Sequence, residues 1–362
     1  MRSLSVLSLI CFCCLIQSCK TKPDTLNSVN QWVDPFIATQ GDHGQLYPGA
    51  VTPFGLVKLS PETSGRGHAG YQYEEKFMYG FSHLRTDGSG CTGAGGNILI
   101  QPGNGSFIKY KEAYKEEYLK DSEKASPGYY SVKYKSGILS ELTVTSRVGF
   151  QRYTFPDKDS NFIIIDLSHS HAGILDAELN IIPPDKVNGS ISSFNVCGQG
   201  RNKYFKLYFT IQFNKPFTEY ISWDNNTTDG QIPERRGVDS GVWLAFENTG
   251  TIMAKTGISP LSIEVSEEEI GNECPVWKFE KTKEKAARDW ENILGKVKIV
   301  TDRDDLRRLF YTLLYRSYTS PVIANATSGL YRPALKEDTL KRTVDIRPDF
   351  KYYCGWDIWG NY

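Results

Sequence analysis

Between about Trp32 and Val265 the chain repeatedly alternates apolar and polar residues with a period of two, the pattern of half-buried strands. Leu142, Val144, Ser146 and Val148 fall on one side of such a run, with Thr143, Thr145 and Arg147 on the other. The aromatic run Tyr204 to Phe213 predicts a further strand, closed by Asn214-Lys215-Pro216. Phe162 to Leu167 is almost wholly apolar, as suits a strand covered on both faces. Clusters of Gly, Pro, Asn and Asp separate many such short runs, which predicts a large β-sandwich. Near Ser266 the period lengthens. Ser266-Glu267-Glu268-Glu269 reads as a helix start, and Lys278 to Gly295 as an amphipathic helix with Ala287, Trp290 and Leu294 on one side. From Asp304 to Ser320 a stronger helix follows, with Leu306, Leu309, Phe310, Leu313 and Leu314 at helical spacing.

The first 19 residues stand outside this pattern. Arg2 precedes an apolar run from Leu4 to Ile16, and Leu15-Ile16-Gln17-Ser18-Cys19 resembles a bacterial lipobox. The run is too short to cross a bilayer as a helix. Cys19 is therefore the expected lipidation site and residues 20–30 a polar tether, with contact to the membrane only through that anchor. The implied location is that of an exported lipoprotein, periplasmic or anchored to the outer membrane. The domain plan that results is 1–19 signal peptide, 20–30 tether, 31–265 β-sandwich, 266–300 helical linker, and 301–362 the opening of a helical domain.

Charge narrows the partners. Lys+Arg number 42 and Asp+Glu 42, so no basic excess points to nucleic acid. Four cysteines, Cys91, Cys197, Cys274 and Cys354, lie beyond the signal and are far apart. None form a Cys-x-x-Cys pair, which argues against structural zinc. His169-Ser170-His171 lacks a neighbouring third ligand and reads as loop. Gly88 to Gly96 is Gly-rich but has no following Lys and no helix start, so it is not a phosphate loop.

The candidate chemistry sits in Trp32 to Pro102, where aromatics, glycines and a few polar groups are packed between turn signals. Such a composition suits a loop-built ligand surface on a β scaffold. The stretch carries three phrases: Asp34-Pro35-Phe36-Ile37-Ala38-Thr39, Pro48-Gly49-Ala50 running through Pro53-Phe54-Gly55 to Ser60-Pro61, and Gly80-Phe81-Ser82-His83. These phrases, with Arg152-Tyr153-Thr154-Phe155-Pro156, Lys215-Pro216-Phe217 and Gly257-Ile258-Ser259 in the same order, resemble the N-terminal domain of glycoside hydrolase family 92. That family comprises calcium-dependent, inverting, exo-acting α-mannosidases.

The resemblance implies a supersandwich-like β domain, a helical linker and an (α/α)6 catalytic barrel of which this chain holds only the beginning. It implies calcium as cofactor and a mannose-containing oligosaccharide or N-glycan as substrate. An inverting glycosidase needs two carboxyl groups about 6.5–9.5 Å apart, and the family places both deep in its barrel, beyond residue 362. No catalytic residue is thus assigned, the expected intramolecular partner is the missing catalytic domain, and the chain alone is expected to be inactive. For substrate binding the resemblance points to Trp356 and Asp357, in a phrase where Gly355 and Ile358 replace the family's Leu and Thr. It points also to His43 and Gly44, where the second histidine of a Gly-His-Gly-His-like run is missing, and to Tyr71 and His83. A family tryptophan that shapes the leaving-sugar subsite has no counterpart in Ser64-Gly65-Arg66-Gly67. A non-catalytic carbohydrate-binding lipoprotein is the rival reading.

Overall fold

The computed structural model describes residues 28–41, 44–63, 67–86, 95–156, 160–194, 204–225, 229–247, 250–331, 341–342 and 350–351. Its body is built from sixteen strands in two sheets. In chain order the first are β1 (Ala50–Val51), β2 (Lys58–Glu62), β3 (Gly80–Ser82) and β4 (Leu99–Asn104). Then come β5 (Lys124–Ser126), β6 (Tyr129–Lys133), β7 (Leu139–Val144), β8 (Val148–Thr154) and β9 (Asn161–Asp166). The set is completed by β10 (Ile174–Ile182), β11 (Lys186–Phe194), β12 (Tyr204–Phe213), β13 (Glu219–Trp223), β14 (Glu234–Arg236), β15 (Gly241–Phe246) and β16 (Thr251–Ser259). Seven strands form one sheet in the order β1-β2-β3-β4-β9-β15-β13, and nine the other, β14-β10-β11-β12-β16-β8-β7-β6-β5. The pairings in both are antiparallel.

The main core lies between the sheets. Leu59, Phe81, Ile100, Ile163 and Ile165 from the smaller sheet meet Tyr130, Leu142, Tyr153, Leu207, Phe209 and Ile258 from the larger. Because side chains alternate along a strand, Phe162 and Ile164 of β9 face away from that core. They are buried all the same, in a second cluster with Tyr114, Trp223 and Trp243. The near-continuous apolar run of this strand thus has a cause: it is covered twice.

Three helices follow: α1 (Ile263–Glu273), α2 (Phe279–Leu294) and α3 (Asp304–Ser317). The Ser262 hydroxyl caps α1 by accepting from the Val265 N–H, satisfying one of the free donors of its first turn. Ile270 and Cys274 pack on Val148 and Phe150, on the outer side of the larger sheet. Among the described residues Cys274 is buried and free of any disulfide. No helix among the described residues is long and apolar enough to cross a membrane.

Three details differ from the sequence pattern. The alternation over 142–148 is broken by a turn at 145–147, which joins β7 to β8 as a hairpin. In α2 the buried face carries Ala286, Trp290 and Leu294, so Ala286 rather than Ala287 points inward. In α3 the difference is larger. Leu306, Leu309 and Leu313 are exposed at 44%, 43% and 53%, while Tyr311, Thr312, Tyr315 and Arg316 are buried. The aromatic face, not the leucine face, meets the sandwich.

Candidate functional site

Two of the three phrases, 34–39 and 48–61, meet α2, α3 and the end of α3, whereas Gly80–Ser82 of the third is β3 within the smaller sheet. Trp290 donates its indole N–H to the Val51 carbonyl at 2.6 Å and packs on Tyr315 with ring centroids 4.3 Å apart. The Asp34 N–H donates to Thr312 Oγ1 at 2.9 Å, Arg316 donates to the Pro35 carbonyl at 2.7 Å, and the Phe54 N–H to the Tyr318 carbonyl at 2.8 Å. Each bond links a loop or strand β1 of the sandwich to a helix or to its immediate end. The loops are therefore fixed against the helices, not loosely appended to them.

Gly44 and Tyr71 are brought together here. Gly44 has a φ of +52°, and a Cβ on it would lie 2.2 Å from the Tyr71 carbonyl oxygen, so only glycine fits this approach. The Tyr71 side chain is fully buried, and its hydroxyl donates to the Glu123 carboxylate at 3.0 Å. Burial and the negative charge of Glu123 push its phenol well above the usual range, so it stays protonated. Lys120 donates to the same hydroxyl at 2.8 Å, pairs with Glu123 at 2.6 Å, and sits 3.7 Å from the Tyr73 ring centroid. Tyr71 therefore shapes its loop from beneath.

His83 lies inside the sandwich with no exposed surface. Its Nδ1 is 2.8 Å from the Ile98 carbonyl, which can only accept, and its Nε2 is 2.9 Å from the Gln151 side-chain amide. Burial lowers its pKa to about 4, with the Arg85 charge acting in the same direction, so the ring is neutral. Both nitrogens are engaged and no edge is left for a sugar. His83 is structural in this fold, contrary to the expectation that it lines the pocket. His43, Trp356, Asp357 and Cys19 lie outside the described residues.

Sequence reasoning missed the network that sits beneath these loops. The buried Glu62 carboxylate pairs with Arg85 Nη2 at 2.7 Å and accepts from His171 Nε2 at 2.9 Å and from the Ser82 hydroxyl, and His169 Nε2 is 3.8 Å away. Burial alone would raise the Glu62 pKa, but the charges of Arg85, His171 and His169 offset this and hold it well below the usual carboxylate range. Arg85 also donates to the carbonyls of Ala69 at 2.5 Å and Ser60 at 2.8 Å. The network thus ties the 67–71 loop, β2, β3 and the 169–171 loop into one block. Arg85 and Arg316 lie 5.1 and 5.7 Å from the centroid of the same ring, that of Tyr47.

Chemically, this block positions loops. Its carboxylates are consumed by cations and phenols, and its core histidine is held neutral. Among the described residues no group of three or more His, Cys, Asp or Glu side chains could hold a metal ion. Glu62, which comes nearest with its two histidines, is already neutralised by a guanidinium.

Comparison with known proteins agrees with the sandwich-then-helix order. The model of the glycosyl hydrolase family 92 N-terminal domain matches residues 32–259, and that of the family 92 catalytic domain matches residues 266–362. An uncharacterized secreted glycosidase of Arthroderma benhamiae is 27% identical over 327 residues, covering 81% of this chain and 42% of that one. The solved family 92 glycosyl hydrolase ccman5 is 29% identical with a TM-score of 0.79, over 84% of this chain and 42% of its own. A family 92 α-mannosidase from Bacteroides thetaiotaomicron is 27% identical with a TM-score of 0.80, over 89% and 44%, and was also solved in complex with mannoimidazole. The chain spans under half the length of each of these relatives.

Proposed function

We propose, since the chain belongs to glycoside hydrolase family 92, that it forms the sandwich and first helices of an α-mannosidase. The observation that carries this is the junction: the segments bearing two of the family's phrases are bonded to the helices that open the catalytic-domain match. A sandwich held in this way serves as one wall of a sugar pocket, with the reactive half supplied by further helices. The similar α-mannosidase with a mannoimidazole complex supports a mannose-containing oligosaccharide or N-glycan as substrate. On this reading the reaction is exo-acting and inverting. The acid and base stand on either side of the glycosidic bond, one protonating the leaving oxygen and the other activating water.

The residues of this chain orient the loops around the substrate and carry no proton in the reaction. Gly44, Tyr71 and the Glu62–Arg85 block fix the wall, while Trp356 and Asp357 contact the sugar. Calcium enters through family membership, as a hard cation suited to sugar hydroxyls, with its ligands outside the described residues. Export and a lipid at Cys19 complete the reading, and the secreted relative fits the former.

The test is mannose release from α-linked mannobiose in the presence of calcium. Residues 20–362 alone are expected to release none. A protein that continues past Tyr362 to the length of its relatives is expected to release mannose with inversion at C1 and to lose activity in EDTA. Release by residues 20–362, or retention of configuration by the longer protein, would overturn the reading.

A further inference from the structure

A cleft of about 760 Å³ lies away from these loops, on the outer side of the larger sheet. One side is sheet. Glu141 of β7 faces Arg152 of β8, and Arg152 faces Met253 of β16, so the three form a row across neighbouring strands. Thr154 and Thr251, paired two positions further along, form the next row on the same face. The other side is the connection from α1 to α2 and the first turns of α2: Trp277, Lys278, Phe279, Glu280, Lys281 and Glu284.

At the centre of the cleft Arg152 and Glu141 are held by other protein groups before any ligand arrives. Arg152 gives two parallel bonds to Glu141, at 2.7 and 2.8 Å, and a third to Glu280 at 2.7 Å, while its guanidinium lies 4.2 Å from the Phe279 ring centroid. Its third nitrogen, Nη1, takes no part in these bonds. Glu141 also accepts from the Tyr129 hydroxyl at 2.9 Å. Trp277 is fixed edge-to-face against Phe150 and carries the Lys255 ammonium 4.0 Å from its ring centroid. The lining includes three basic residues, Arg152, Lys278 and Lys281, against three acidic ones, Glu141, Glu280 and Glu284, so it selects neither anion nor cation.

We infer that this cleft is a second, non-catalytic binding site for a neutral oligosaccharide. Immobilised donors and acceptors without net charge match ring hydroxyls. An indole beside them offers the apolar wall that a pyranose C–H face requires. The volume holds two or three sugar units. That the sugar is mannose rests on the proposed function; that it is neutral and polyhydroxylated rests on the cleft.

Affinity electrophoresis of the full chain through gels containing yeast α-mannan, dextran or polygalacturonate tests this. Retardation by α-mannan is expected, with Trp277→Ala reducing it about tenfold. Thr154→Trp, a substitution at an exposed position that fills the cleft, is expected to abolish it. Far-UV circular dichroism and the thermal midpoint confirm that each variant folds. Equal retardation of Thr154→Trp and the unaltered chain, no retardation by any neutral glycan, or stronger retardation by polygalacturonate would each overturn the inference. Retardation by dextran but not mannan would sustain the cleft and count against mannose alone. The enzyme reading is judged separately by mannose release, so either can fail without the other.

Discussion

The second and third helices of this chain share one buried cluster but differ in the rest of what they bury. Helix α2 turns Phe279, Ala286, Trp290 and Leu294 inward, the ordinary consequence of an amphipathic stripe. Helix α3 turns in Tyr311, Thr312, Tyr315 and Arg316 and leaves Leu306, Leu309 and Leu313 to solvent. The difference follows from what each helix meets. α2 packs on the sandwich with an apolar face. α3 also meets backbone polar groups of the N-terminal loop: Thr312 accepts from the Asp34 N–H and Arg316 donates to the Pro35 carbonyl. A helix with a satisfied polar face on one side and a bare leucine stripe on the other has the surfaces of a middle layer. The chain covers 42–44% of the length of the relatives it matches.

The comparison breaks most severely at Trp290. Its indole is fully buried, bonded to Val51 and packed at a tilt against Tyr315, so it joins α2, α3 and β1. Trp290→Ala leaves a cavity and an unpaired carbonyl, and a loss of about 3–5 kcal/mol of unfolding free energy is expected in urea titrations. A loss under about 1 kcal/mol would show that the junction contributes little to the fold.

Acid attacks the sandwich end of the same junction in two stages. His83 has an ordinary value of 6.5 and a folded value of about 4, so between those limits the unfolded chain binds a proton that the folded one refuses. Stability from this group is full above pH 6.5 and falls as the pH drops towards 4, by roughly 3 kcal/mol in all. Glu62 is depressed in the fold, so its contribution is present above 4.5 and declines as the pH falls below that value. Thermal midpoints across pH 3 to 8 measure both. His83→Gln is expected to flatten the upper stage and Glu62→Gln the lower. An unaltered slope from pH 6.5 to 4.5 in His83→Gln would show that another group is responsible.

Strand and helix periods made the architecture legible, because burial in a sandwich follows residue spacing. The runs at 162–167 and 204–213 became β9 and β12 for that reason. The site was less legible, because its contacts depend on pairs distant in sequence. Glu62 meets Arg85 after 23 residues and His171 after 109. Gly44 and Tyr71 were named through the family resemblance as sugar contacts, and what the fold shows is a close backbone approach between them. His83 could not be judged, because its phrase is a buried strand edge whose histidine is spent on Ile98 and Gln151. In α3 the sequence pattern counts leucines as core, whereas the buried face sets Tyr311 and Tyr315 among Val33, Val51, Trp290 and Leu294 and puts Arg316 on the Pro35 carbonyl.

The leucine stripe gives the smallest effect and the sharpest contrast with Trp290. In this chain Leu306, Leu309 and Leu313 are 43–53% exposed, so replacing them removes little buried area. The triple substitution Leu306→Ser, Leu309→Ser and Leu313→Ser is expected to shift the unfolding free energy of residues 20–362 by less than about 0.5 kcal/mol per site and to raise solubility. In a protein that continues to the length of its relatives, the same residues would be covered by further helices. There each leucine is expected to contribute about 1.5–3 kcal/mol, and the triple variant should fold poorly. Measuring both proteins by thermal melting decides the matter. Equal tolerance in the two would mean that the stripe faces water in the whole protein, and that α3 is an outer layer.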